Sequence, residues 1–448
     1  MTDSGRPALR QELHLRDLVF FSFVGVCGFR NIAMGAQTGP GSITNWLLGI
    51  AFFFIPTAFA VGRLSSRFPA QGGLYVWTRH HFGPWHGYLC FWVYWLGLAV
   101  LFPVMLMTFA SISVYALGPR FVAYADHRGF IFAFSMLLLV LVIVSNLLGL
   151  KFGKWLDNLG AAALLVLVAA MAATAAVVYA RQGSATQFQL WPDWNWTRVS
   201  FLAQIGFALT GLEMSAVLGG EIVEPRKNLP RAAAIASPMI AAVFVTGTAA
   251  LQVVLPDGAI SPMHGVTQAA AASVAFTGWH WIATVTALLM LCAATGQLSV
   301  IGITASRLPY ALGVDKLLPS QLARIHPRWG TPYVSILAVG AIAAVFLVLC
   351  NAGETLRSGY QTVVDLMVIT GLLPYVYIFA AAWKSGARWS AALGMATTLF
   401  MLVCTVVPTP DVQDVLRYEL KVWGCTIAII AAGRLLYLRY SRQTANPE

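Results

Sequence analysis

Charge is scarce in this sequence. Asp, Glu, Lys and Arg make up 10% of its 448 residues, against 58% that are hydrophobic. A soluble domain carries roughly a quarter charged residues and needs them to cover its surface, so a soluble fold of this length is excluded. Other absences narrow the function. The six cysteines stand singly with no CxxC pair, which gives neither a disulfide framework nor a zinc pattern. The eight histidines lie in loops or at helix ends without metal-ligand spacing, so a membrane enzyme with clustered His, Cys or paired carboxylates is not indicated and no cofactor is expected. No GxxxxGK(S/T) run occurs, which argues against ATP-driven pumping. A continuous polar stripe of the kind that lines a channel pore is also missing, as is the ten-residue alternation of barrel strands. The stretch from Met1 to Asp17 is polar and has no cleavable signal.

What is present is a series of apolar blocks. Phe91 to Ser113, Phe130 to Leu150 and Trp281 to Ser306 contain no charged side chain. Each is long enough to cross about 30 Å of hydrocarbon as a helix rising about 1.5 Å per residue. Backbone groups in lipid must bond within their own segment, so the fold is expected to be an all-α integral membrane bundle. About twelve transmembrane helices are expected, near 17–36, 43–63, 86–117, 130–149, 155–180, 198–222, 231–255, 281–307, 332–350, 359–383, 389–407 and 419–440. Gly72 to His81, Val266 to Phe276 and Lys316 to Ile325 read as shorter amphipathic helices in the loops, the second of them capping the outer side.

The net charge of +11 reflects basic residues in short loops, not a nucleic-acid surface. With the N-terminus inside, 20 of the 28 Lys and Arg fall on inner segments, 7 on outer ones, and Arg30 within a helix. This bias predicts both termini in the cytoplasm of a multi-pass protein of the cell membrane. Trp191, Trp194 and Trp196 before the sixth helix fit an interfacial aromatic belt.

Two helices carry paired glycines, Gly25 and Gly28 in the first, Gly206 and Gly211 in the sixth. Such pairs weaken a helix and let it unwind, which lipid forbids but a cavity lining allows. Five helices separate them, the spacing of two inverted repeats with a solute site between the breaks. The alternative is that the glycines serve close helix packing.

The chain resembles the amino acid–polyamine–organocation permeases over nearly its whole length. Gly220-Glu221-Ile222-Val223-Glu224-Pro225-Arg226-Lys227-Asn228-Leu229-Pro230-Arg231-Ala232 is similar to that family's E-x-x-N-P-x-x-N-x-P-x-A signature, with Glu224 where Asn is usual. Arg67 to Trp77, Phe82-Gly83, Trp92 to Trp95, Ser306 to Ala311 and Leu317-Leu318-Pro319 match further segments of the same family. The resemblance implies a LeuT-like fold, a 5+5 inverted repeat plus two C-terminal helices. Its parts would be a cytoplasmic tail at 1–16, a core at 17–383 whose repeats are 17–180 and 198–383, two added helices at 384–440, and a tail at 441–448. It implies a small-molecule amino acid partner, carried by alternating access with proton symport or exchange, or a related amine or organic acid. The solute carboxylate would meet Gly25, Val26, Cys27, Gly28 and Phe29, and its ammonium the carbonyls of Phe207, Ala208, Leu209 and Thr210. Helix N-termini favour anions and exposed carbonyls favour cations, so the placing is sound. Cys27 departs from the family's usual glycine, and Leu164 stands where some members carry a lysine.

Charged residues within spans are expensive and are functional candidates. Arg30 is expected to contact the solute or to pair with Glu213 or Asp365. Glu213, just past the sixth-helix break, is a proton-coupling or gating candidate, or a structural carboxylate bonded to backbone or Tyr. Asp365 is open to gating, ion binding or a structural pair. Glu221 is expected to pair with loop Arg residues as an inner gate or brace, and Asp157 with Asn158, at the start of the fifth helix, is open to a functional or a structural reading, with structure favoured. Phe207 would close over the solute as an aromatic gate. Protons are a possible coupling ion, the bilayer is a partner, and the oligomeric state is not legible.

Overall fold

The computed structural model describes residues 9, 11–192, 196–261, 264–352, 356–405 and 415–445. The helices are α1 (Leu15–Val26), α2 (Phe29–Ala36), α3 (Ser42–Arg67), α4 (Leu74–Phe82), α5 (Pro84–Leu117), α6 (Arg128–Leu148), α7 (Leu150–Gln182) and α8 (Trp196–Ala208). They continue as α9 (Met214–Val217), α10 (Pro225–Val254), α11 (Gly265–Thr277), α12 (Ile282–Val314), α13 (Tyr333–Ala352), α14 (Leu356–Lys384), α15 (Arg388–Cys404) and α16 (Val415–Ala445). Among the described residues no strand forms beyond two isolated bridges.

Local chemistry sets the boundaries. Proline opens α5 and α10, where its missing N–H has no helical partner to lose. Gly149 alone separates α6 from α7, and its φ of +103° turns the chain within one residue. Helix α5 is the pillar: 89% of its most apolar window is buried, against 22% for α6, which faces outward. Its 34 residues reach about 51 Å, more than the hydrocarbon needs.

Among the described residues eight helices are long and apolar enough to cross a bilayer, or nine if the bent pair α1 and α2 is one span. The other three expected spans are the broken α8 and α9, the 17-residue α15, and α16. Taking each broken pair as one span, the chain runs as five spans with α4 after the second, then five with α11 after the second, then α15 and α16. That order matches the 5+5 plan with two appended helices. Helices α4 and α11 lie where amphipathic segments were expected, whereas Lys316 to Ile325 forms only a 3-10 turn at Ser320–Ala323.

The two ends of the bundle are fastened differently. At the N-terminal face, Leu13 pairs with Ile222 and Gln71 with Leu218 as single bridges. Asp315 at the end of α12 accepts from Tyr75 at 2.8 Å and pairs with Arg79, both on α4. Lys154 on α7 pairs with Asp17 on α1 at 3.1 Å. At the opposite face no ion pair is formed among the described residues, and Arg128 and Arg181 bond backbone carbonyls of Asn351 and Phe276. Gln252 donates to the carbonyls of Ala36 (3.1 Å) and Gly39 (2.8 Å), Gln37 donates to that of Ile260 (3.0 Å), and Trp46 donates to Thr248 (2.9 Å).

Candidate functional site

The first break is the pair Cys27 and Gly28, both extended, with a 42° bend between α1 and α2. Cys27 ends α1 by donating its N–H to the Phe23 carbonyl at 2.8 Å. Helix α2 then starts afresh: the amides of Phe29 and Arg30 have no helical acceptor behind them, and that of Asn31 donates to the Gly28 carbonyl at 2.9 Å. Gly28 does not need a left-handed conformation. Its constraint is space, because a Cβ there would lie 3.1 Å from the Gln297 amide on α12. Every residue from Gly25 to Arg30 is buried.

The second break runs from Leu209 to Glu213. Gly211 has φ +119°, a conformation that side chains rarely allow. Phe207 accepts on its carbonyl both the N–H (3.0 Å) and the hydroxyl (2.7 Å) of Thr210. The carbonyls of Ala208 and Leu209 stand at the end of α8, where the helix supplies no further donors. The second half is shorter than expected: four residues of α9, then a 3-10 turn at Gly219–Glu221.

The two breaks touch. A Cβ on Gly211 would lie 3.1 Å from the Val26 side chain and 3.5 Å from the Gly25 carbonyl oxygen. Each glycine pair divides its labour. Gly28 and Gly211 stand in the breaks. Gly25 and Gly206 lie inside helices and serve packing, against Val300 and Met401 respectively. Gly206 is therefore not part of an unwound segment, and the two readings of the glycines each hold for one member of a pair.

Glu213 is fully buried and receives three donors. Tyr94 on α5 donates to Oε1 at 2.7 Å, the Gly211 amide to Oε2 at 3.1 Å, and Tyr375 on α14 also donates to Oε2. The Gly211 amide further reaches the Tyr375 oxygen at 2.9 Å. The carboxyl group thus ties the second break to two other spans. The two tyrosines are the partners that sequence reasoning missed; phenols inside apolar helices read as core.

Glu221 and Arg307 form a second buried knot. They are 2% and 1% exposed and meet in a forked pair, Nε–Oε1 at 3.1 Å and Nη2–Oε2 at 3.4 Å. Gln71 donates to Glu221 at 3.4 Å and accepts from the Gly220 amide at 2.8 Å. The Glu221 carbonyl accepts from the amides of Glu12 (3.0 Å) and Leu13 (3.1 Å). An Arg partner is thus present, but it comes from within α12 and not from a loop as expected. A cavity of about 230 Å³ opens beside this knot, lined by Glu12, Glu221, Arg307, Arg328, Trp329 and Thr331 among others.

Arg30 is buried, 3% exposed, on the first turn of α2. Phe207 is half-buried, and its ring lies against the backbone of α14, 2.5 Å from where a Cβ on Gly371 would stand. Asp365 belongs to α14, but its side chain falls outside the described residues. Outside the spans, Tyr75 is pushed up by burial and by Asp315, and His81 is pushed down by burial and by the neighbouring positive charges of His80, Lys384 and Arg67.

Comparison with known proteins agrees with this arrangement. The sequence profile named amino acid permease matches residues 13–432. An uncharacterized transporter of Legionella pneumophila is 26% identical over 84% of this chain and 81% of its own length. An uncharacterized transporter of Mycobacterium tuberculosis is 28% identical over 88% and 91%. A probable agmatine/putrescine antiporter of Lactococcus lactis is 22% identical over 90% of each chain.

Proposed function

The chain belongs to the amino acid permease family, a family of multi-pass membrane transporters, and on that premise we propose that it carries an amino acid across the cell membrane by alternating access. The contact between the two breaks supports this reading most directly. There Gly211 meets Gly25 and Val26, at the C-terminal end of α1. The N-terminus of α2 begins three residues past Val26 and the C-terminus of α8 ends three residues before Gly211; the former suits a carboxylate and the latter an ammonium, which supports a zwitterion held at both ends. The termini and the N-terminal face are assigned to the cytoplasm, as the loop charges require.

In this scheme Glu213 is a latch. It holds the second break against α5 and α14, and solute binding at Phe207 to Thr210 would reset it. The knot at Glu221 and Arg307 closes the cytoplasmic end. The antiporter of Lactococcus lactis raises the alternative of an amine exchanger. Buried Arg30 beside the first break opposes a dication and favours a solute with at least one carboxylate.

Thermal-shift measurements on the purified protein with amino acids and amines test the substrate class, since a ligand that binds the folded state raises apparent stability. Counterflow in proteoliposomes then tests carriage. Saturating exchange with the stabilising solute is the expected result; stabilisation by amines alone would replace the amino acid reading with the exchanger of amines.

A further inference from the structure

Among the described residues Asp157 is a further buried carboxyl within the spans, and its surroundings are unlike those of Glu213. It is 4% exposed, and its Oδ1 has no hydrogen-bond partner. Gly153, Asp157 and Gly160 fall at i, i+4 and i+7, so they share one face of α7. That face lies on α12. A Cβ on Gly160 would come within 2.8 Å of the Gly296 Cα, and one on Gly153 within 3.5 Å of the Ser299 hydroxyl. Helix α1 closes the same junction, since a Cβ on Gly296 would lie 3.4 Å from Val24. The inner half of the first broken helix thus packs on the same α7–α12 junction that carries the carboxyl.

The groups facing it are few. From α12 the Ser299 hydroxyl engages it, and from α1 Asp17 acts on it as a like charge. Asp17 is itself paired with Lys154, one turn back on α7. Arg307, two turns further along α12, is committed to Glu221. Among the described residues no Lys, Arg or His forms an ion pair with Asp157. A carboxyl group buried in an apolar interior without a cation is costly as the ion and favours the neutral acid. Glu213 spreads that cost over three donors, whereas Asp157 has the Ser299 hydroxyl and a bare Oδ1.

We infer that Asp157 is the proton-binding carboxyl of the transport cycle, neutral while the inner half of the first helix covers it and discharged when that half moves away. On opening, its O–H bond breaks heterolytically. The proton passes to water at the N-terminal face, and the carboxylate keeps the electron pair and is hydrated. Seating α1 again requires a proton to return. Proton binding and closure of the N-terminal face are then one equilibrium. This deepens the transport reading and rests on it for its meaning, but the titration can be followed with no solute present.

The test uses the full chain in liposomes. Val24→Cys places a thiol in the junction, and an impermeant maleimide added at the N-terminal face reports its exposure, with labelling of the native cysteines subtracted. Labelling, expressed at each pH relative to that of a fully exposed control thiol so that thiolate formation cancels, is expected to speed up as pH rises, by at most about tenfold per pH unit for a single proton. With Asp157→Asn added, which mimics the neutral acid, the rate should stay low and flat. Infrared difference spectra of the otherwise native chain should show a protonated-acid band, shifted in heavy water, that Asp157→Asn removes and Glu213→Gln leaves in place. Retention of the pH dependence or of the band in Asp157→Asn overturns the assignment. Should that variant fail to fold, Asp157→Glu and Ser299→Ala serve instead: each should keep the slope and move its midpoint, and an unmoved midpoint in both overturns the assignment equally. A titration that behaves as expected in a chain that carries no amino acid would leave the proton site standing and remove the amino acid reading.

Discussion

The two breaks solve one problem by different means. At the first, the chain leaves helical geometry through two extended residues that any side chain can adopt, and neutral groups hold its flanks: Gln252 and Thr248 bond α2, and Val24 and Gly25 pack on α12. At the second, a left-handed glycine, a buried carboxylate with two tyrosines and a buried charge pair all act within eleven residues, from Gly211 to Glu221. The first break is therefore the adaptable one and the second the anchored one. Damage to the second should cost stability, and damage to the first should change function with the fold intact.

The largest effect is expected at the end of the second break. Arg307→Ala leaves Glu221 buried and unpaired, which should cost about 3–5 kcal/mol. A melting temperature in detergent equal to the parent's would show that the knot does not anchor this half. Next comes Gly211→Ala. The backbone strain approaches about 3 kcal/mol, before the contact with Val26. Gly28→Ala should cost visibly less, because its backbone is ordinary and the Gln297 amide can turn aside; equal losses of melting temperature would erase the distinction. A third comparison probes the first break by function. Arg30→Ala should weaken glutamate uptake by about 2 kcal/mol or more through loss of a charge-assisted pair, with leucine less affected. Equal loss for both solutes would make Arg30 a structural residue and point to a neutral amino acid.

The smallest effect concerns α4, which props the second break where Gly73 meets the backbone of Ala216 and Val217. His81 on α4 is bonded to Ser385 at 2.9 Å. Its ring is held below the ordinary histidine value, so the folded chain resists protonation there more than the unfolded chain does. The stabilisation is complete above about pH 6.5 and is lost as the pH falls through the lower folded-state value. His81→Gln should flatten the acid side of the melting-temperature profile and leave the neutral side in place; an unchanged acid limb would exclude this residue.

Much of this plan was legible from residue types alone. Runs such as Phe91 to Ser113 admit one structure in lipid, so the spans were readable, and so was the existence of both breaks. The position of the second was not. Gly206 and Gly211 look alike in sequence, and only the Met401 side chain packed on Gly206 and the φ of Gly211 separate a packing glycine from a turning one. Glu213 and Glu221 were visible as buried acids. Their partners Tyr94, Tyr375 and Arg307 come from spans far away in the chain, and no local pattern announces such pairings. Nothing in the sequence around Asp157, at the start of the fifth span, separates a functional carboxyl from a structural one. Its bare oxygen becomes visible only when α1, α7 and α12 are assembled.

The bridge between Leu13 and Ile222 has a kinematic consequence. It pins the outermost ends of the two inner half-helices together, and the contact of Gly211 with Gly25 and Val26 pins their opposite ends. Two bodies joined at two points cannot turn independently, so two hinges collapse into one rotational degree of freedom. A solute that grips either break then moves both half-helices through the same arc.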